Sequence, residues 1–77
     1  MEERVKQVVA DMLDLDPSAI DGSTAKDNTP TWDSLNHINL VVALEQEFEV
    51  SFEVTEIESM LSFDDILEVL AGKLQSP

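Results

Sequence analysis

Apolar residues recur at helical spacing in three stretches of the chain, separated by polar, turn-rich segments. The first stripe is Val5, Val8, Val9, Met12 and Leu13, with Glu2 and Glu3 at the positive end of the helix it predicts. Pro17 disfavours helical geometry at Asp16, so this helix is expected to stop near Leu15. Asp16 can then cap a short turn that has Pro17 in its first position and sends Ile20 into the core. Residues 21–31 form a polar connection rich in Gly, Ser, Thr, Asn and Pro, longer than the usual link between bundle helices.

A second helix is predicted over residues 34–49, capped by Asp33. Leu40, Val41, Leu44 and Phe48 make its core stripe, and Leu35, Ile38 and Val42 make a second apolar strip beside it. A helix apolar over two stripes is either central to a bundle or presents side chains to a partner. Residues 50–52 have strand propensity but no second strand to pair with, so they are expected to form a loop. A short helix is expected over residues 55–60, with Ile57 and Met60 inward or half inward. Ser62 can cap the last helix, with Asp65 three residues on. Phe63, Ile66, Leu67 and Leu70 line its buried face, followed by Leu74. The expected fold is all-α: a four-helix bundle with three longer helices, one short helix and a long first loop, forming one domain over residues 1–77.

At 77 residues the core must be economical, with no room for a deep enclosed active site. No cysteine is present, which excludes disulfides, thiolate metal sites and a cysteine nucleophile. No apolar run approaches the roughly 18 residues that a membrane span needs. The N-terminus lacks the basic start and apolar stretch of a signal peptide, so a cytoplasmic location is expected. The formal net charge is -13, from 17 acidic residues against 4 Lys plus Arg. Those bases are Arg4, Lys6, Lys26 and Lys73, leaving residues 27–72 without one. Such a surface repels nucleic acid and anionic membranes, and it attracts basic protein patches. The competing reading is that the acids only keep a small protein soluble.

The candidate chemistry lies in Thr31-Trp32-Asp33-Ser34-Leu35-Asn36-His37-Ile38-Asn39-Leu40. Here a long loop delivers a serine to the first turn of the central helix. Unpaired backbone N–H groups and the helix dipole favour an anion at such an end. Asp-Ser at a helix start is also ordinary capping chemistry. Trp32 is expected to pack over the loop–helix junction, its indole N–H reaching polar loop groups. His37 shares a helix face with Ser34, but a Ser–His hydrolase would need a strained nucleophile turn and an oxyanion hole. His37 is therefore read as a surface group, and no catalytic residue is assigned. EF-hand registers starting at Asp14 and Asp21 both lack the required Gly and Glu, so no metal site is assigned.

Over nearly its full length the chain resembles the acyl and peptidyl carrier protein family. The matching parts are Leu15-Asp16-Pro17-Ser18-Ala19-Ile20, Asp33-Ser34-Leu35, Leu44-Glu45-Gln46-Glu47-Phe48 and Phe52. Length, acidity and helix order agree. The resemblance implies that Ser34 accepts 4′-phosphopantetheine from coenzyme A. A phosphopantetheinyl transferase attaches the group, with Mg²⁺ held largely by that enzyme and coenzyme A. It also implies that the arm's thiol carries acyl groups as thioesters, and that the chain is a carrier rather than an enzyme. Acyl-loading and acyl-using enzymes would dock through basic and apolar patches. The matching positions are Asp33, Leu35, Ile38, Val42, Glu45 and Met60; for Ile38, Val42 and Met60, core packing is the competing reading.

Fatty-acid carriers of this family often have a Gly-x-Asp-Ser-Leu lead-in and an acid in the second helical turn. Here Trp32 precedes Asp33 and Asn39 replaces the acid, which points to a specialised or accessory pathway. Met1 close to the first helix favours a free-standing carrier, and a monomer is expected. The alternative function is an acidic helical interaction module of the same fold without a prosthetic group. The acid excess makes one outcome independent of the choice: added salt or divalent cations should raise the melting temperature by screening self-repulsion. A melting temperature that stays flat from low to moderate salt would show that this repulsion is unimportant.

Overall fold

A computed structural model describes residues 2–75 of the chain. Four α-helices follow in order: α1 (Glu2–Leu13), α2 (Ser34–Phe48), α3 (Val54–Ser59) and α4 (Phe63–Gln75). Two 3₁₀ turns, Pro17–Ala19 and Lys26–Asn28, lie in the connection between α1 and α2. This is the expected all-α bundle of three longer helices and one short one. No described helix is long and apolar enough to cross a membrane.

The periodic stripes converge on one core. Val5, Val9, Ala10 and Leu13 of α1 meet Leu40, Val41 and Leu44 of α2 and Phe63, Ile66 and Leu70 of α4, with Ile20, Trp32, Phe52 and Met60 from the connections. Several residues expected within the stripes lie at their margins, the half-buried Val8 and Leu67 among them. Met12 and Leu74 are exposed, and Phe48 is half-buried beneath the Arg4 guanidinium, 4.8 Å from its ring centroid.

The helix ends explain where the elements stop. Asp14 and Glu49 both adopt the left-handed conformation, at φ 56° and 55°. Leu15 N–H then reaches the Ala10 carbonyl and Val50 N–H the Glu45 carbonyl, closing each helix with a backward-reaching bond. The two helices therefore end at Leu13 and Phe48, slightly before the expected limits of Leu15 and Glu49. No glycine marks either stop, which is why the pattern alone overran them.

The long first connection is tied down in three places. Asp16 caps the first turn by accepting from Ser18 N–H at 2.9 Å. Asp21 accepts from Ser23 N–H at 2.8 Å and from its hydroxyl at 2.6 Å. These bonds hold both carboxyls below the usual carboxylate range: mainly the Ser18 backbone bond at Asp16, and the Ser23 hydroxyl bond at Asp21. Stability from these caps is present above the ordinary carboxylate range and lost as pH falls through the lowered values. An antiparallel bridge between Ala25 and Ser62 completes the anchoring, through Lys26 N–H to Leu61 O (2.8 Å) and Phe63 N–H to Thr24 O (2.9 Å).

The last helix is capped by Ser62 as expected, and the short helix has a cap that the sequence pattern had not suggested. Glu56 accepts from Glu53 N–H at 2.7 Å, and Ser62 Oγ accepts from Asp65 N–H at 3.1 Å. Lys73 of α4 pairs with Glu56 at 2.8 Å and holds its carboxyl below the usual range, aided by the Glu53 N–H.

Leu44 is fully buried at the centre of this core. Leu44→Ala should destabilise the fold by about 2–5 kcal/mol, through lost transfer energy and a residual cavity. Urea unfolding followed by circular dichroism measures this; a loss near zero would mean that the core is not packed around α2 as described.

Candidate functional site

The loop reaches α2 through a network of short polar bonds. Asp33, in extended geometry, caps the helix by accepting from Asn36 N–H at 2.8 Å. The Asn36 side-chain amide reaches back to Thr31 O at 2.7 Å. Trp32 N–H donates to Thr29 O at 2.9 Å, turning the chain just before the helix. Thr31 Oγ1 is buried here without a hydrogen-bond partner.

Ser34 opens α2 and is exposed. Among the described residues its hydroxyl makes no hydrogen bond, and the Ser34 and Leu35 backbone N–H groups have no acceptor. A free hydroxyl thus stands at a helix N-terminus beside unpaired donors, where the helix dipole favours negative charge. The Asp33 carboxylate opposes an anion, but one of its oxygens already holds Asn36 N–H.

Beneath this surface the indole of Trp32 is 2% exposed. Its N–H donates to His37 Nδ1 at 3.0 Å rather than to a polar loop group, as the sequence reading expected. The two rings lie 6.2 Å apart, 27° from parallel. The opposite nitrogen, Nε2, faces the Ile57 carbonyl of α3 at 2.8 Å. His37 is therefore not a surface group: it is 8% exposed and turned away from solvent. The sequence signal was available in the five-residue spacing from Trp32. One turn of helix carries His37 back beneath the residue that precedes the cap.

The expected docking residues divide. Leu35, Ile38 and Val42 are 72%, 52% and 45% exposed along one face of α2, which decides against core packing for Ile38 and Val42. Asp33 is exposed at the same end. Met60 does not join them: it is 1% exposed and packed in the core, because the chain turns inward after α3. Glu45 is half-buried, with one carboxylate oxygen accepting from Phe52 N–H at 2.9 Å, so it fixes the connection after α2. Two exposed apolar residues that the sequence pattern did not single out are Val54, which opens α3, and Leu61, which follows it. A groove of about 460 Å³ opens elsewhere, between Ala25–Asp27 and Leu61, Ser62 and Asp65.

No family model matches the chain. Curated relatives do. An acyl carrier protein of Thermosynechococcus vestitus is 36% identical over 74 residues, covering 94% of this chain and 89% of the relative. An acyl carrier protein of Campylobacter fetus is 33% identical over 70 residues, covering 91% of each. One of Campylobacter curvus is 35% identical over 66 residues, covering 86% of each.

The cap that positions the serine is separable from the serine itself. Asp33→Ala should cost about 1 kcal/mol through loss of the Asn36 N–H bond, whereas Asp33→Asn should retain most of the stability. Equal losses in urea unfolding of the two variants would show that the side chain does not act as a cap.

This chain belongs to the acyl carrier protein family.

Proposed function

We propose, from that membership, that the chain carries acyl intermediates as thioesters on a 4′-phosphopantetheine arm attached to Ser34. The observation that carries the reading is the exposed Ser34 hydroxyl at the N-terminus of α2, free of hydrogen bonds among the described residues. Its surroundings suit a phosphodiester, since the Ser34 and Leu35 N–H groups are unpaired and lie at the positive end of the helix. In the loading step, the Ser34 oxygen bonds to the phosphorus next to pantetheine in coenzyme A. The bond to the departing 3′,5′-ADP breaks, and the serine proton passes to a base on the transferase. The bound group supplies the thiol that this cysteine-free chain lacks.

The chain's own contribution is presentation rather than catalysis. Asp33 and Asn36 hold the backbone around Ser34, and Leu35, Ile38 and Val42 offer an apolar strip to partner enzymes. The acid excess suits partners with basic patches, steering their approach. Those partners are the phosphopantetheinyl transferase and the enzymes that load and use the acyl group. A tether raises the effective concentration of cargo at each of them. Trp32 before the cap and Asn39 in the second turn support a specialised or accessory pathway rather than bulk fatty-acid synthesis. A cytoplasmic, monomeric, single-domain carrier that is not itself an enzyme is the form this reading takes.

Incubation with coenzyme A, Mg²⁺ and a broad-range phosphopantetheinyl transferase should add the mass of one arm. Ser34→Ala should abolish the gain while leaving the circular dichroism of the helices intact. Absence of any gain in the wild-type chain, with a known carrier modified in parallel, would favour the unmodified interaction module instead.

A further inference from the structure

The only tryptophan and the only histidine of the chain are hydrogen-bonded to each other under the candidate site. The partners dictate the protonation state of the ring. An indole N–H can only donate, so His37 Nδ1 must be an unprotonated acceptor. Nε2 faces a carbonyl, which can only accept, so Nε2 must carry the proton. Both bonds exist together only in the neutral Nε2–H tautomer.

The two bonds differ in their response to acid. Nε2 donates to Ile57 O, near the end of α3, whether the ring is neutral or charged, and a cation suits that helix end. Nδ1 can take a second proton only by turning an N–H toward the indole N–H, which removes the Trp32 bond. Among the described residues no carboxylate is hydrogen-bonded or ion-paired to the ring. The charged groups on the elements that hold it have other engagements or face solvent. Asp33 caps Asn36, Glu56 is paired with Lys73 and Glu53 N–H, and Glu53 and Glu58 are exposed.

We propose that His37 is a positioning residue for the Ser34 site: its neutral form locks Trp32 beneath the loop–helix junction, and a second proton on Nδ1 releases it. Trp32 lies two residues before Ser34 and His37 three after, so the bond clamps the chain on both sides of the hydroxyl. The released form binds one more proton than the locked form, so acid favours release. The consequence for loading rests on the carrier reading of Ser34; the lock itself does not.

Because Trp32 is the sole tryptophan, its fluorescence reports the lock directly. The wild-type chain should show a one-proton change in emission on acidification. His37→Gln, whose amide can accept from Trp32 and donate to Ile57 O without titrating, should show none. In transferase assays with coenzyme A at neutral pH, His37→Ala should lower kcat/KM for the carrier about fivefold, the worth of one hydrogen bond, and His37→Gln should recover most of it. On acidification the wild type should fall relative to His37→Gln, a ratio in which the enzyme's own pH dependence cancels.

A flat wild-type emission, or the same step in His37→Gln, overturns the lock. So does a nitrogen NMR spectrum of the wild-type chain showing His37 protonated on Nδ1 at neutral pH, a measurement that needs no variant to fold. An emission step accompanied by an unchanging kcat/KM ratio overturns the positioning role. Failure of every variant to be modified at any pH, with a known carrier modified alongside, overturns the positioning role through the carrier reading, while the emission step still judges the lock.

Discussion

Burial of the Trp32 indole decides which side of the junction before the second helix faces the core. A side chain this large must enter the core of a 77-residue chain, yet its N–H needs an acceptor once water is excluded. His37, one turn into α2, supplies that acceptor and satisfies its own second nitrogen on Ile57 O. With the ring pair inside, Asp33 and Ser34 are left on the outer side of the junction, and both are exposed. The buried pair thus holds the presented hydroxyl without touching it. It also links the loop, α2 and α3.

Charge is distributed to the same end. Of the four strong bases, Arg4 binds Glu47 at 2.7 Å and Lys73 binds Glu56 at 2.8 Å. Each also lies over an aromatic ring, Arg4 over Phe48 and Lys73 over Phe52. The Arg4 pair is well exposed and contributes little by itself, at most about 1 kcal/mol. The geometry does something else: these cations sit at the joins of α1 to α2 and of α4 to α3. The exposed strip of α2 is left apolar and acidic, without a Lys or Arg between Asp27 and Gly72 to repel an approaching basic partner. That division separates residues that hold the bundle from the exposed strip.

The long first connection shows how a polar segment can be ordered without an apolar anchor of its own. Carboxylate-capped turns at Asp16 and Asp21, the Asn28 side chain accepting Ala25 N–H and donating to Ser23 O, and the Ala25–Ser62 bridge satisfy its backbone groups locally. Ile20 and Trp32 then pin its two ends in the core. A length unusual for a helix link is thereby absorbed, and Ser34 is delivered to one defined place.

Local rules sufficed for much of this protein. Helical periodicity, Pro17, and the caps at Asp16, Asp33 and Ser62 determined the four helices, their order and the position of Ser34 at a helix start, because each acts within a few residues. The helix stops at Leu13 and Phe48 were less legible, since Asp14 and Glu49 adopt left-handed geometry without glycine. Burial was the least legible property. Val42 and Met60 are both apolar and both fit a helical stripe, yet one is 45% and the other 1% exposed. His37 looked like a surface group until Trp32 and Ile57 were brought to opposite sides of its ring. Which of two equally apolar or polar side chains turns inward depends on what the rest of the chain packs against it, and residues 20 positions apart become neighbours only when the helices close.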